Sequence, residues 1–328
     1  MKKKAKSKPN TFKGKNAIRD FLDPHNLATP LVELPPEFNP FHDKGVEIYA
    51  KLSYLSPLLN VKSIIAYEMI RDAKKRGKTS GVHTLVEASS GNTAMSLAIM
   101  SKLFDIEHVL AKIPADIAPG KFEMLRLFRA HPELMSAGTI DHARKLGKQK
   151  GYHNLGQYEN EANPQATEQL LAAHIWEQTD GDISVFCASL GTGGTAIGAR
   201  RYFKKTSPKT VIVGVACKPG HAVPGARTKE RLKEVKLDWQ SALDACMEVE
   251  TKESFKASLE LCRIGILAGP SSGLALIGLH RFLGEKARDG TLKDLRGKNG
   301  KIVSVFICAD TCMPYLDKYS THLDPENF

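Results

Sequence analysis

The chain is poor in the residues that would make it a disulfide scaffold or a metal-cluster protein. It has only six cysteines in 328 residues, at positions 187, 217, 246, 262, 308 and 312, and none forms a C-x-x-C pair. They lie mostly inside apolar segments, which points to buried thiols in a reducing, cytoplasmic setting and away from a disulfide frame or a zinc site. No apolar run approaches the ~20 residues that would span a bilayer. The first fifteen residues, MKKKAKSKPNTFKGK, lack the apolar core of a secretory signal. Acidic residues are also short, 36 against 47 Lys and Arg, for a net charge of +11. Seven of those lysines lie within residues 2–15, which hold no acid, so the remainder of the chain carries only +4 of the +11. No zinc finger, RNP-like aromatic pair or recognition-helix pattern accompanies that charge. Residues 1–20 therefore read as a solvated, disordered basic tail, and nucleic-acid binding is not expected.

What is present is a 42% hydrophobic chain, long enough for two domains that share a cleft. Its centre is Val185–Phe203, VFCASLGTGGTAIGARRYF. Ile183–Ala188 is nearly unbroken apolar, the pattern of a strand buried on both faces. Gly191, Gly193 and Gly194 then break the chain, and Ala196, Ile197, Ala199, Tyr202 and Phe203 recur at helical spacing. Strand, glycine turn and helix together present bare backbone N–H groups to an anion at a helix N-terminus. A glycine-rich surface turn without a ligand is the plainer alternative.

Gly191, Gly193 and Ala196 also satisfy the dinucleotide pattern G-x-G-x-x-A. The following strand, Thr210–Ala216, nevertheless ends in Cys217-Lys218-Pro219, without the acid that would hold a ribose. The only G-K-[ST], Gly77–Thr79, has Asp72 where a nucleotide-triphosphate loop needs its first glycine. A cofactor bearing one phosphate fits best.

Along the chain, strands are predicted at Thr29–Leu34, Val46–Leu52, Val82–Glu87, Glu107–Ile113, Cys246–Glu250 and Lys301–Cys308, and a return towards a strand at Tyr152–Asn160. Helices are predicted at Ser63–Arg76, Asn92–Phe104, Gly120–Ala130, Ile140–Lys150, Pro164–Thr179, Lys252–Arg263 and Ser272–Lys286. Ala88-Ser89-Ser90-Gly91 lies between a strand and a helix and forms a second anion-binding turn, although Ser before a helix is also a routine cap. Alternating β and α with apolar strands implies mostly parallel sheet covered by helices on both faces.

Five short motifs in order carry a resemblance that spans Thr29 to about Asp310. They are Asn60-Val61-Lys62-Ser63, Glu87–Thr93, Gln157–Asn160 with Ala162-Asn163-Pro164, Gly191–Thr195, and Gly265-Ile266-Leu267 leading to Gly269–Gly273. On these the chain resembles the cysteine synthase and cystathionine β-synthase family, the fold-type-II enzymes that use pyridoxal 5′-phosphate. The resemblance implies two three-layer α/β/α domains of the tryptophan synthase β-like kind. The smaller, at 53–165, would bind substrate, and the larger, at 21–52 plus 166–328, would bind the cofactor phosphate.

The resemblance also implies roles. Lys62 would be the Schiff-base lysine, for which it must shed its proton in a cleft. Gly191, Thr192, Gly193, Gly194 and Thr195 would hold the phosphate, Asn92 the ring hydroxyl and Ser271 the pyridine nitrogen. Ser89, Ser90, Gly91, Asn92 and Thr93, with Gln157, would bind the substrate carboxylate. The implied reaction is β-replacement on O-acetylserine or O-phosphoserine through an aminoacrylate, most simply with sulfide to give L-cysteine, in a cytoplasmic homodimer. Diaminopropionate- or cystathionine-forming replacement and serine or threonine deamination are the alternatives.

Several departures bear on the substrates. Asn-Val-Lys-Ser stands for the more usual Ser-Val-Lys-Asp, and Ala94 follows Asn92-Thr93 where glycine is common. Asp310–Tyr319 lacks the usual Glu-Arg-Tyr-Leu-Ser-Thr string. Pro224–Lys236 places Arg227, Lys229, Arg231, Lys233 and Lys236 where relatives carry small neutral residues. Arg227 is accordingly a candidate to bind an anionic leaving group, against the bland reading of a solvated basic helix.

Overall fold

The computed structural model describes residues 11–89, 91–115, 117 and 119–328. Its elements run α1 (Ala17–Leu22), β1 (Leu31–Glu33), β2 (Val46–Lys51), α2 (Lys62–Lys75), β3 (Thr84–Ala88), α3 (Asn92–Met100), β4 (His108–Pro114), α4 (Pro119–Leu127), β5 (Ala130–Met135), α5 (Thr139–Leu146) and β6 (Tyr152–Asn154). A helical stretch follows, α6 (Ala162–Ala166) and α7 (Ala172–Gln178), joined by a π-type turn at Thr167–Leu171. The chain then forms β7 (Val185–Ser189), α8 (Gly194–Thr206), β8 (Val211–Cys217), β9 (Ala245–Val249), α9 (Thr251–Arg263), α10 (Pro270–Arg288), β10 (Ile302–Ile307) and α11 (Leu316–His322).

The strands make two sheets, of order β1-β2-β10-β7-β8-β9 and β5-β4-β3-β6. Every pairing is parallel except β1 with β2. Parallel strands need covering on both faces, and the side-chain alternation of β7 delivers it. Val185 and Cys187 enter one buried cluster with Leu274 and Leu279 of α10, while Phe186 and Ala188 enter another with Ile197 and Phe203 of α8. The second sheet is built likewise, Leu85 packing with Ile65, Met69 and Leu97 on one side and Val86 with Ala143 on the other. Phe186 and Phe203 are fully buried at a tilted ring contact of 5.9 Å, so Phe186→Ala would cost about 3–5 kcal/mol.

Three elements depart from the sequence expectation. Ala130–Met135 carries Pro132 and no β-branched residue, yet it pairs with β4. It can do so because β5 is an edge strand, where proline is tolerated. Residues 17–22 form α1 although the tail was expected to be disordered through residue 20; residues 1–10 lie outside the described residues. The C-terminal α11 docks Tyr319 against Phe255 of α9, at a ring separation of 5.1 Å. No helix among the described residues is long and apolar enough to cross a membrane.

Candidate active site

The site lies where the carboxyl ends of β7, β10 and β3 meet, the usual ligand crevice of parallel sheets. Lys62 opens α2, and its backbone is fastened to the end of β10: Val61 N–H donates to Ala309 O at 2.7 Å, and Asn60 bridges to Asp310. Asn60 Oδ1 accepts from the Lys62 N–H and from Ser96 Oγ, both at 3.0 Å. The residue is half-buried, but burial of its amine brings the pKa down to about 8, against the opposing pull of Asp310. That is the state a nucleophilic lysine needs.

The glycine turn after β7 is closed to side chains. A Cβ on Gly191 would stand 2.5 Å from Gly225 O, one on Gly193 2.6 Å from Trp239 Cβ, and one on Gly194 would strike the Asn163 amide. Gly193 also caps α8 at φ +74°, a left-handed conformation that favours glycine. Thr192 Oγ1 accepts from Asn163 Nδ2 at 3.0 Å, and Asn163 Oδ1 is buried without a partner among the described residues. The first N–H groups of a thirteen-residue helix, bare glycine backbone and a hydroxyl make a cradle for a phosphate. Val61 shares a buried cluster with Ala188, Leu190 and Ala196, which sets the cradle beside Lys62. Ser271 is buried in the first turn of α10, and a hydroxyl there does not hold a pyridine nitrogen charged. These residues fit pyridoxal phosphate.

The second turn begins α3. Thr93 Oγ1 donates to Gln157 Oε1 at 2.8 Å, and Gln157 Nε2 donates to Ala88 O at 3.0 Å, so the Thr93 and Gln157 side chains are brought together. Glu87 Oε2 accepts the Gly156 N–H at 3.0 Å and steadies that loop, while burial raises its pKa to about 7. Ser89 Oγ accepts from the Gly91 N–H at 3.4 Å, and Ser90 lies outside the described residues.

Asn92 Nδ2 donates to Asp310 Oδ2 at 2.7 Å, and the Tyr315 hydroxyl donates to the same oxygen. Asp310 is 2% exposed, its other oxygen has no partner among the described residues, and burial raises its pKa. Sequence reasoning gave Asp310 no role, although an acid just past an apolar parallel strand is a signal that could have found it.

Arg227 is not free. Its backbone N–H donates to Leu190 O at 2.8 Å, against the glycine turn. Its guanidinium donates to Glu234 Oε2 at 2.6 Å and to Arg231 O at 3.0 Å, and stacks 4.7 Å from the Tyr158 ring. An anion would have to compete with Glu234 for it. The basic helix expected around it is a single 3₁₀ turn, Arg231–Glu234.

Comparison with known proteins agrees with this architecture. The family model described as pyridoxal-phosphate dependent enzyme matches residues 22–297. A cysteine synthase of Aquifex aeolicus is 32% identical over 290 residues, 85% of this chain and 85% of that one. Cysteine synthase B of Escherichia coli is 31% identical over 259 residues, 77% and 84%. The crystal structure of cysteine synthase from Entamoeba histolytica superposes with a TM-score of 0.79 at 24% identity, over 98% of this chain and 95% of that one. The chain thus belongs to the pyridoxal-phosphate-dependent enzymes, of the fold-type-II, cysteine synthase type. Its cofactor is pyridoxal 5′-phosphate.

Proposed function

We propose that the protein exchanges the β-substituent of an activated serine, O-acetyl-L-serine or O-phospho-L-serine, for a nucleophile, most simply sulfide to give L-cysteine. The observation that carries this is Lys62: an amine depressed to about 8, at a helix start next to a phosphate cradle and a carboxylate-binding turn. The cysteine synthases among its relatives support the same reading.

Pyridoxal phosphate, when bound, supplies the electron sink that makes an amino acid's Cα proton removable and its β-substituent expellable. The chain's own residues do the rest. The N–H groups of Gly191–Thr195 anchor the phosphate, and Asn92 orients the ring through its hydroxyl. Ser271 leaves the ring nitrogen uncharged, which weakens the sink and favours loss of the β-group over transamination. Thr93, Gln157 and the α3 N-terminus hold the substrate carboxylate, and Lys62 carries the proton to and from Cα.

The test is to give purified holoenzyme each serine ester with sulfide and assay L-cysteine. Cysteine formation is the expected result. Pyruvate and ammonia without cysteine would overturn replacement in favour of deamination.

A further inference from the structure

Lys121, in the first turn of α4, has no part in the site as read from sequence, yet it enters the same crevice. Its Nζ lies 3.8 Å from where a Cβ on Gly91 would sit, at the start of α3. It also lies 4.7 Å from the centroid of the Tyr315 ring, whose hydroxyl holds Asp310. Asp310 feels both Lys62 and Lys121, which puts the three ionisable groups in one cleft. Among the described residues no carboxylate comes within ion-pair distance of Lys121. Asp310, the acid that acts on it most strongly, gives one oxygen to Asn92 and Tyr315 and leaves the other buried and unpartnered, against Gly269. Asp317 and Lys318 act on it more weakly and in opposite senses.

A part-buried ammonium with no ion-pair partner among the described residues is costly unless a ligand supplies one. Arg227, the cation a sequence reader would choose, already has Glu234. We infer that Lys121 is the specificity-determining cation of this site: it reads an anionic β-substituent on the amino-acid donor, a phosphate ester in preference to a neutral acetyl ester. This rests on the β-replacement reading above. In the elimination the Cβ–O bond breaks and the phosphate departs with the bonding electron pair. That added charge develops beside the Lys121 ammonium, with Tyr315 walling the other side. The N-terminus of α3 adds its partial positive charge.

The experiment measures binding as well as turnover. The probes are L-2-amino-4-phosphonobutyrate, in which a CH₂ replaces the ester oxygen so that nothing can be expelled, and the neutral L-methionine. Calorimetric titration of the holoenzyme is expected to show the phosphonate binding about tenfold to a hundredfold tighter than methionine, the range of one charge-assisted hydrogen bond. Lys121→Met should abolish that ratio and Lys121→Arg should restore most of it. With the esters and sulfide, Lys121→Met should lower kcat/KM for O-phospho-L-serine relative to O-acetyl-L-serine by the same factor. A wild-type ratio near one, or a ratio unchanged by Lys121→Met in a variant that melts at the wild-type temperature, overturns the assignment while leaving β-replacement intact. Pyruvate and ammonia in place of cysteine from both esters overturn the β-replacement reading and this inference with it.

Discussion

The two glycine turns of this molecule are built to opposite standards. In the turn before α8, three glycines have protein within 2.6 Å of where a Cβ would go, and Gly193 sits at positive φ. In the turn before α3, a Cβ on Gly91 would meet, among the described residues, only the end of one flexible lysine, at 3.8 Å. The first is a fixed socket, fastened by Asn163, Gly225 and Trp239 on neighbouring segments. The second leaves room for something to enter. An anchored phosphate needs invariant backbone, whereas a substrate that comes and goes needs space and an unsatisfied charge. On the function proposed above, the difference between the turns is the difference between holding a cofactor and choosing a substrate.

The largest effect is expected where the two turns converge. Lys62→Ala should abolish the visible absorbance of bound cofactor and lower turnover by roughly a thousandfold or more, the scale of losing a proton-transferring group. Retained colour and rate would show that the turns do not meet at Lys62. Swapping the turns' tolerance comes next. Gly193→Val should weaken cofactor binding by about tenfold or more with an unchanged far-ultraviolet spectrum, whereas Gly91→Ala should alter it by less than about threefold. Equal losses would erase the distinction drawn above. Ser271→Asp should cut kcat by about tenfold while cofactor affinity changes little, because a carboxylate would hold the ring nitrogen protonated. Unchanged turnover would remove Ser271 from the ring.

A smaller effect is expected from pH. Only the neutral amine of Lys62 can take up cofactor, and its pKa is about 8 where an ordinary lysine stands at 10.5. Loading of apoenzyme, followed by absorbance, should therefore speed up about fivefold from pH 7 to pH 8 and then level off. A rise that continues tenfold per unit to pH 10 would mean a solvated lysine. The smallest effect belongs to Arg227→Ala. Its partner Glu234 is half exposed, so the pair contributes about 1 kcal/mol and Tm should fall by about 2 °C. Both serine esters should be affected alike. A selective loss with O-phosphoserine would return the anion-reading role from Lys121 to Arg227.

Much of the architecture was legible because buried parallel strands write themselves as apolar runs. Ile183–Ala188, Val46–Leu52 and Lys301–Cys308 were all visible as strands, and β7 was bounded by the glycines that the helix start requires. What escaped notice were elements held by tertiary contact. Ala130–Met135 has no strand composition and pairs only because β4 offers it an edge. Likewise α11 exists because Tyr319 has Phe255 to pack on.

The same division runs through the site. Lys62, Gly191–Thr195 and Gln157 stand in motifs whose residue types and order carry the chemistry, so local sequence was sufficient to nominate them. Arg227 is one of five cations in a basic loop and Lys121 a lone cation in a mostly apolar stretch, and nothing in their neighbours tells which one is neutralised. That depended on where Glu234 and Asp310 fall in three dimensions, seven residues away for the first pair and 189 positions away for the second. Covalent order determines which groups a chain owns and which turns it can make. Which charges are left unpaired is a property of packing, because a counter-ion acts through distance and burial and not through sequence separation.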